Sequence, residues 1–166
     1  MSESRIISLV KAIVSALNAA QPVQPEPPEP QLPSPFVLPF TAAWKATPIM
    51  MLDQMGQGLF VYIVPLSADE QRVGDMVGGD YVGQHEILIA VYRRILSGET
   101  QEDIVSQMLL LMEQMLDVLK SGSLAIGDSW RAVPGNVSNV SYSHSDLADI
   151  GVFSGSQTVN YALFGG

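Results

Sequence analysis

Residues 21–39 read QPVQPEPPEPQLPSPFVLP and hold eight of the chain's eleven prolines. Each proline fixes φ, removes a backbone donor and pushes its predecessor out of the helical region. No helix or central strand passes through such a stretch. The chain therefore divides into an N-terminal element over 1–20, a proline-rich linker over 21–39 and a folded domain over 40–166. In extended polyproline form the 19 linker residues would reach about 60 Å. Three readings of the segment stand open: an arm that carries the N-terminal element to a neighbouring subunit, a strap on the chain's own surface, or a proline-rich ligand for an SH3-like partner. For the last, the PxxP pattern is acidic and lacks an adjacent Arg.

Ahead of the linker, Ile6, Leu9, Val10, Ile13 and Leu17 recur at steps of three and four, which places them on one stripe of a helix. The spacing predicts an amphipathic helix over 4–20. Arg5 and the small pair Ala19-Ala20 give this stretch the look of a cleaved leader, but Lys11 interrupts the apolar run. The run is also far short of the roughly 20 apolar residues that a membrane span needs.

The 166 residues carry 17 acidic and 8 basic side chains, net −9, with no cysteine and 47% hydrophobic residues. That hydrophobic fraction and length suit one domain with a buried core plus an extension. Without cysteine there is no disulfide framework, thiolate zinc site or cysteine nucleophile. Eight scattered cations cannot make the basic footprint that grips DNA or an anionic membrane. A chain this acidic is still compatible with DNA sliding past it.

Beyond the linker the pattern turns to strands. Phe40–Trp44 and Ile49–Leu52 are short apolar pieces split by Pro48, which suits an edge strand. Leu59–Val64 is a strand ended by Pro65. His85–Ile95 is apolar on both faces and suits a central one. Ser67–Gln84 reads as a long glycine-bearing hairpin connection, a length that favours functional loops. Thr100 then caps a helix with Glu102 and Asp103 in its first turn; Ile104, Met108, Leu111, Met112, Met115 and Leu119 follow at helical spacing to a stop at Gly122. Trp130–Val133 and Val152–Phe164 are further strands. The expected fold is α+β: a mostly antiparallel β-sheet packed against one long α-helix, with the N-terminal amphipathic helix on its proline-rich linker.

Candidate chemistry is thin. Gly74, Gly78, Gly79 and Gly83 lack the Lys-Ser/Thr of a phosphate loop, and Asp75 and Asp80 beside them would repel phosphate. His85 and His144 have no metal-ligand spacing between them. The cluster Tyr142-Ser143-His144-Ser145-Asp146 reads as a polar loop, and no G-x-S-x-G elbow accompanies it. The methionines read as core filler, and Asn136-Val-Ser138 and Asn139-Val-Ser141 as chance matches to a glycosylation acceptor. The expectation is no enzyme, no cofactor and no metal.

One arrangement goes further. Val61-Tyr62-Ile63-Val64-Pro65 leads into a polar loop with Arg72, then Ile87 to Arg94 (ILIAVYRR), then the acid-started helix Asp103–Leu119, then Phe153–Phe164 (FSGSQTVNYALF). In the order and spacing of these elements, residues 40–164 resemble the tail-terminator or tail-completion proteins of long-tailed bacteriophages. The long proline-rich segment departs from that pattern. The resemblance implies a structural virion protein of the tail and neck, assembled in the host bacterial cytoplasm. Its subunits would form a ring, hexameric in the family, that caps the tail tube and meets the head connector while DNA passes without specific binding. Head-closure and tail-tube ring subunits remain as alternatives, as does an adaptor working through its proline-rich segment.

Within that resemblance, Asp69, Glu70, Arg72, Asp75, Asp80 and Tyr81 on loop 67–83 would face the tube or a neighbour, and carboxylates would line the channel. Arg93 and Arg94 would make cross-subunit ion pairs or stand as a solvated strand end. The stripe Ile6, Leu9, Ile13 and Leu17 would dock on an adjacent subunit or partner.

Overall fold

A computed structural model describes residues 3–48, 58–72 and 81–165, with the backbone alone for 69–72 and 81–82. The elements run in the order α1 (Arg5–Ala19), β1 (Ala42–Trp44), β2 (Leu59–Arg72), β3 (Tyr81–Arg94), α2 (Gln101–Lys120), β4 (Leu124–Ile126), β5 (Trp130–Val137), β6 (Ser141–Tyr142), α3 (His144–Ile150) and β7 (Val152–Gly165). The fold is α+β, with a mixed sheet in the order β1-β2-β3-β7-β5-β4 and β6 paired on β7. Among the described residues, only β1 and β2 pair parallel and the other ladders are antiparallel. The expected piece Ile49–Leu52 lies outside the described residues.

Alternation decides which side of each strand is buried. Val61 and Ile63 on β2, Ile87, Ile89 and Val91 on β3, and Phe153, Val159, Tyr161 and Leu163 on β7 all point into one core. The opposite face carries a smaller cluster of Ala90, Tyr92 and Val152, with Phe60, Tyr62 and Leu88 packed against it.

The expectation of one long helix on the sheet is corrected: two long helices share the main core, and α3 adds Leu147. On α2, Ile104, Met108, Leu111, Met112, Met115 and Leu119 are buried, and the helix packs on β7 and β5. Helix α1 contributes Leu9, Val10, Ile13 and Leu17, each 0% exposed. It touches β1 and β2 at one end of the strand order and β4 at the other. The sheet is therefore curled, and α1 lies across the gap between its edges. At about 1.5 Å per residue, 15 residues give a rod of roughly 22 Å, long enough for that crossing.

Both ends of α1 are fastened. At its start the Arg5 guanidinium lies 4.4 Å from the centre of the Trp130 ring. That ring lies so close over Gly165 that a Cβ there would come within 2.3 Å of it. At its end two side-chain amides act as short surrogate strands. Asn18 donates to Ala42 O (3.1 Å) and accepts from Ala42 N (2.8 Å). Gln21 donates to Phe40 O (2.7 Å) and accepts from Phe40 N (3.0 Å).

The proline-rich segment is held in the same way rather than reaching outward. Gln24 donates to Leu32 O (3.0 Å) and accepts from Leu32 N (2.7 Å), and Glu29 N donates to Glu26 O (3.2 Å), so the stretch turns back on itself. Its far end is anchored where Val37 N donates to Gln114 Oε1 on α2 (2.7 Å) and where Phe36 and Phe40 enter the core, ring to ring at 4.9 Å. Of the three sequence readings, this geometry matches the strap on the chain's own surface. Val23, 91% exposed, stands out from it.

Candidate interaction surfaces

Of the connection expected over 67–84, the described residues 67–72 and 81–84 are strand. Pairing slips at a bulge between Pro65 and Ser67 and then resumes from Ser67↔Glu86 to Arg72↔Tyr81. The bulge absorbs the proline, which cannot donate to a ladder, and β3 is held straight on its other side by β7 as far as Tyr81↔Gly165. Asp69, Glu70 and Arg72 thus sit on the far half of β2, and Tyr81 opens β3 opposite Arg72. Asp75 and Asp80 lie outside the described residues. Strand β1 covers β2 only at Val61–Ile63. Among the described residues, the outer edge of β2 from residue 64 to 72 has no strand beside it, whereas β3, β7 and β5 are paired on both sides.

Arg93 does not stand free for a neighbouring subunit. Its guanidinium donates to both carboxylate oxygens of Glu99 (3.1 and 2.9 Å). Glu99 Oε1 also accepts from Leu96 N (2.8 Å). The Arg93 hydrogen bonds, helped by the Leu96 N–H, hold the Glu99 carboxyl below the usual carboxylate range. This fork fixes the short turn between β3 and α2, where Glu99 N donates to Leu96 O (3.1 Å). Arg94 is exposed at the end of β3.

The N-terminal stripe is corrected as well. Leu9, Ile13 and Leu17 are buried in the chain's own core and Ile6 packs at its margin, so the face expected to seek a partner is already covered. A stripe at helical spacing says that something must cover it, without saying whether that is another chain or the same one.

The histidines are far apart in role. His85 is fully buried on β3, in register with Tyr161 on β7. Burial pushes the Tyr161 phenol well above its ordinary value. His144 opens α3, with its ring 4.6 Å from that of Tyr142. The segment 142–146, expected as a polar loop, runs from the end of β6 at Tyr142 through the cap Ser143 into the first turn of that helix. Ser143 caps it by accepting from Asp146 N (3.1 Å), and Gly151 closes it at φ +64°, a conformation that favours glycine. The sequence does carry this signal, as Ser143 and Asp146 at N-cap spacing with Gly151 following as a stop. No group of three or more His, Asp or Glu among the described residues is arranged to hold a metal ion. No described helix is long and apolar enough to cross a membrane.

No family model matches the chain, and no curated protein matches it either. The case for a function therefore rests on its own residues and geometry.

A surface that sequence reasoning passed over lies between α2, β6 and α3. Gln101, Glu102, Val105, Ser106 and Leu109 from α2 face Tyr142 and Leu147 across a groove of about 510 Å³. Gln101 Nε2 spans it to Leu147 O (3.3 Å). The Tyr142 ring is braced from behind by Phe153 at 5.4 Å. The groove depends on α3, whose first residues the sequence pattern reads as a polar loop.

Proposed function

We propose that this chain is a structural subunit of a ring, hexameric in the resembling family, in the tail and neck of a long-tailed bacteriophage, where it caps the tube and joins it to the head connector. The reading rests on the resemblance of residues 40–164 in element order. It is supported by the strand with Pro65, the strand ending at Arg93-Arg94, the acid-started helix and the long last strand, which form one α+β unit.

The observation that carries the ring itself is the edge of β2 over 64–72, which no strand among the described residues covers. A long strand edge left without a partner is a template for pairing with another chain. The other end of the sheet, β4, is three residues long, so the two edges differ. A contact between unlike surfaces closes into a ring when its rotation allows. Asp69 and Glu70 lie on that edge of β2, and in this reading they help to give the channel the negative wall along which DNA slides without sticking.

The test is the mass of the purified protein, by light scattering, alone and with isolated tail tubes. A particle several times 17.9 kDa, with rotational symmetry in negative-stain images, is the expected result. A species that stays at the mass of one chain under both conditions overturns the reading.

A further inference from the structure

The groove beside α2 is independent of the ring, because it is built from neither the β2 edge nor α1. Its walls are apolar (Val105, Leu109, Tyr142, Leu147) and its α2 rim is polar (Gln101, Glu102, Ser106). Leu110 beside it is 43% exposed and Ile150 at the end of α3 is 41% exposed, so the apolar character continues past the lining.

Charge says what fits there. Helix α2 carries Glu102, Asp103, Glu113 and Asp117 and α3 carries Asp146 and Asp149, while the only Lys or Arg on either helix is Lys120 at the far end of α2. Glu102, Ser106, Leu109 and Glu113 follow at steps of four, three and four, so they share one stripe with a carboxylate at each end. Of the two arginines that precede α2, Arg93 is already bound by Glu99, and Arg94 stands exposed at the end of β3, outside the groove's lining. A pocket of this volume accepts one or two large side chains. A second copy of this chain, itself at net −9, meets the rim with like charge.

We propose that this groove docks a basic amphipathic segment of another protein, one that seats leucine-like or aromatic side chains against Val105, Leu109, Tyr142 and Leu147 and sets lysines or arginines against Glu102 and Glu113. The apolar contacts supply the burial, and the charges supply orientation and rate of encounter.

The test uses the full chain and a fluorescein-labelled peptide, Ac-KLLKKLLK-NH2, followed by anisotropy, with the matched acidic peptide Ac-ELLEELLE-NH2 as control. The basic peptide should bind, more weakly as salt rises, and the acidic one should not. Ser106 is exposed, so Ser106→Trp fills the groove from outside and should abolish binding with the circular dichroism unchanged. Glu102→Gln with Glu113→Gln should weaken it about tenfold, which keeps the test alive should the tryptophan variant misfold. No binding of the basic peptide, equal binding of the acidic one, or binding indifferent to both sets of substitutions overturns the proposal. A drop in the protein's own mass on Ser106→Trp overturns it as well, since the occupant would then be a second copy.

Discussion

The two long helices differ in how much of their surface the chain itself covers. Helix α1, an amphipathic stripe ahead of a proline-rich segment, has Leu9, Val10, Ile13 and Leu17 of its apolar face inside the molecule, between the two edges of a curled sheet. Helix α2, whose methionine-rich face reads as core, does fill the core, yet its opposite side helps to form the open groove. Burial of a stripe follows from whether the same chain can supply its cover. For α1 the cover is the gap that a curled sheet leaves. For the outer side of α2, the short helix α3 is too small to close the space.

The comparison breaks most sharply in the core. Ile13→Ala removes a fully buried side chain and should lower stability by about 2–5 kcal/mol, whereas Ser106→Ala in the open groove should stay within about 0.5 kcal/mol. Chemical denaturation measures both. Equal, small effects would mean that α1 is docked loosely and that the sheet closes without it. Asn18→Ala comes next, because it strips both hydrogen bonds from the Ala42 backbone. Two part-buried backbone groups losing their partner should cost about 1–3 kcal/mol. Asn18→Asp keeps the acceptor and should recover part of the loss.

The two helix starts give a finer contrast. Thr100 Oγ1 accepts from Asp103 N (3.2 Å) at the head of α2. At the head of α1, Ser4 makes no side-chain cap. Thr100→Ala should therefore cost about 1 kcal/mol, and Ser4→Ala at most a few tenths. If both cost the same, the difference between the helix starts lies elsewhere than in their caps.

Local patterns were legible here, and long-range choices were not. The spacing of Ile6 to Leu17 and of Ile104 to Leu119 predicts two helices whose observed bounds differ from the expected ones by about a residue. Thr100 as a cap and His85–Ile95 as a central strand are also found. What sequence could not carry was tertiary choice. Whether the α1 stripe is covered by its own sheet depends on how far that sheet curls, which no local period encodes. Ser67–Arg72 looks like loop because it is polar and leads into glycines, yet it pairs because β3 beside it is held by β7. Arg93 looks free until the turn 96–99 brings Glu99 back to it. The start of α3 is obscured for another reason. Its cap signal was present, but seven residues are too few for a hydrophobic period to show.

Two ion pairs among the described residues set the smallest of these contrasts, and acid separates them. Lys11–Glu3 joins two well-exposed side chains on α1 and the residues before it, while Arg93–Glu99 is a two-pronged fork with side chains only 14% and 28% exposed. Glu99 is held below its ordinary value by Arg93 first and by the Leu96 N–H second. A carboxyl depressed in the folded state contributes stability that is fully present above its ordinary value of about 4.3 and is lost as pH falls through the lower, folded value. Arg93→Gln should therefore lower the melting temperature at pH 7, with the deficit shrinking once the pH falls below the ordinary carboxylate range. Lys11→Gln should shift the melt less at any pH, because an exposed pair is screened by water and salt. A deficit for Arg93→Gln that is the same at pH 3 and pH 7 would mean that the arginine acts by packing its stem against the β3–α2 turn. The charge on Glu99 would then be incidental to the turn that precedes α2.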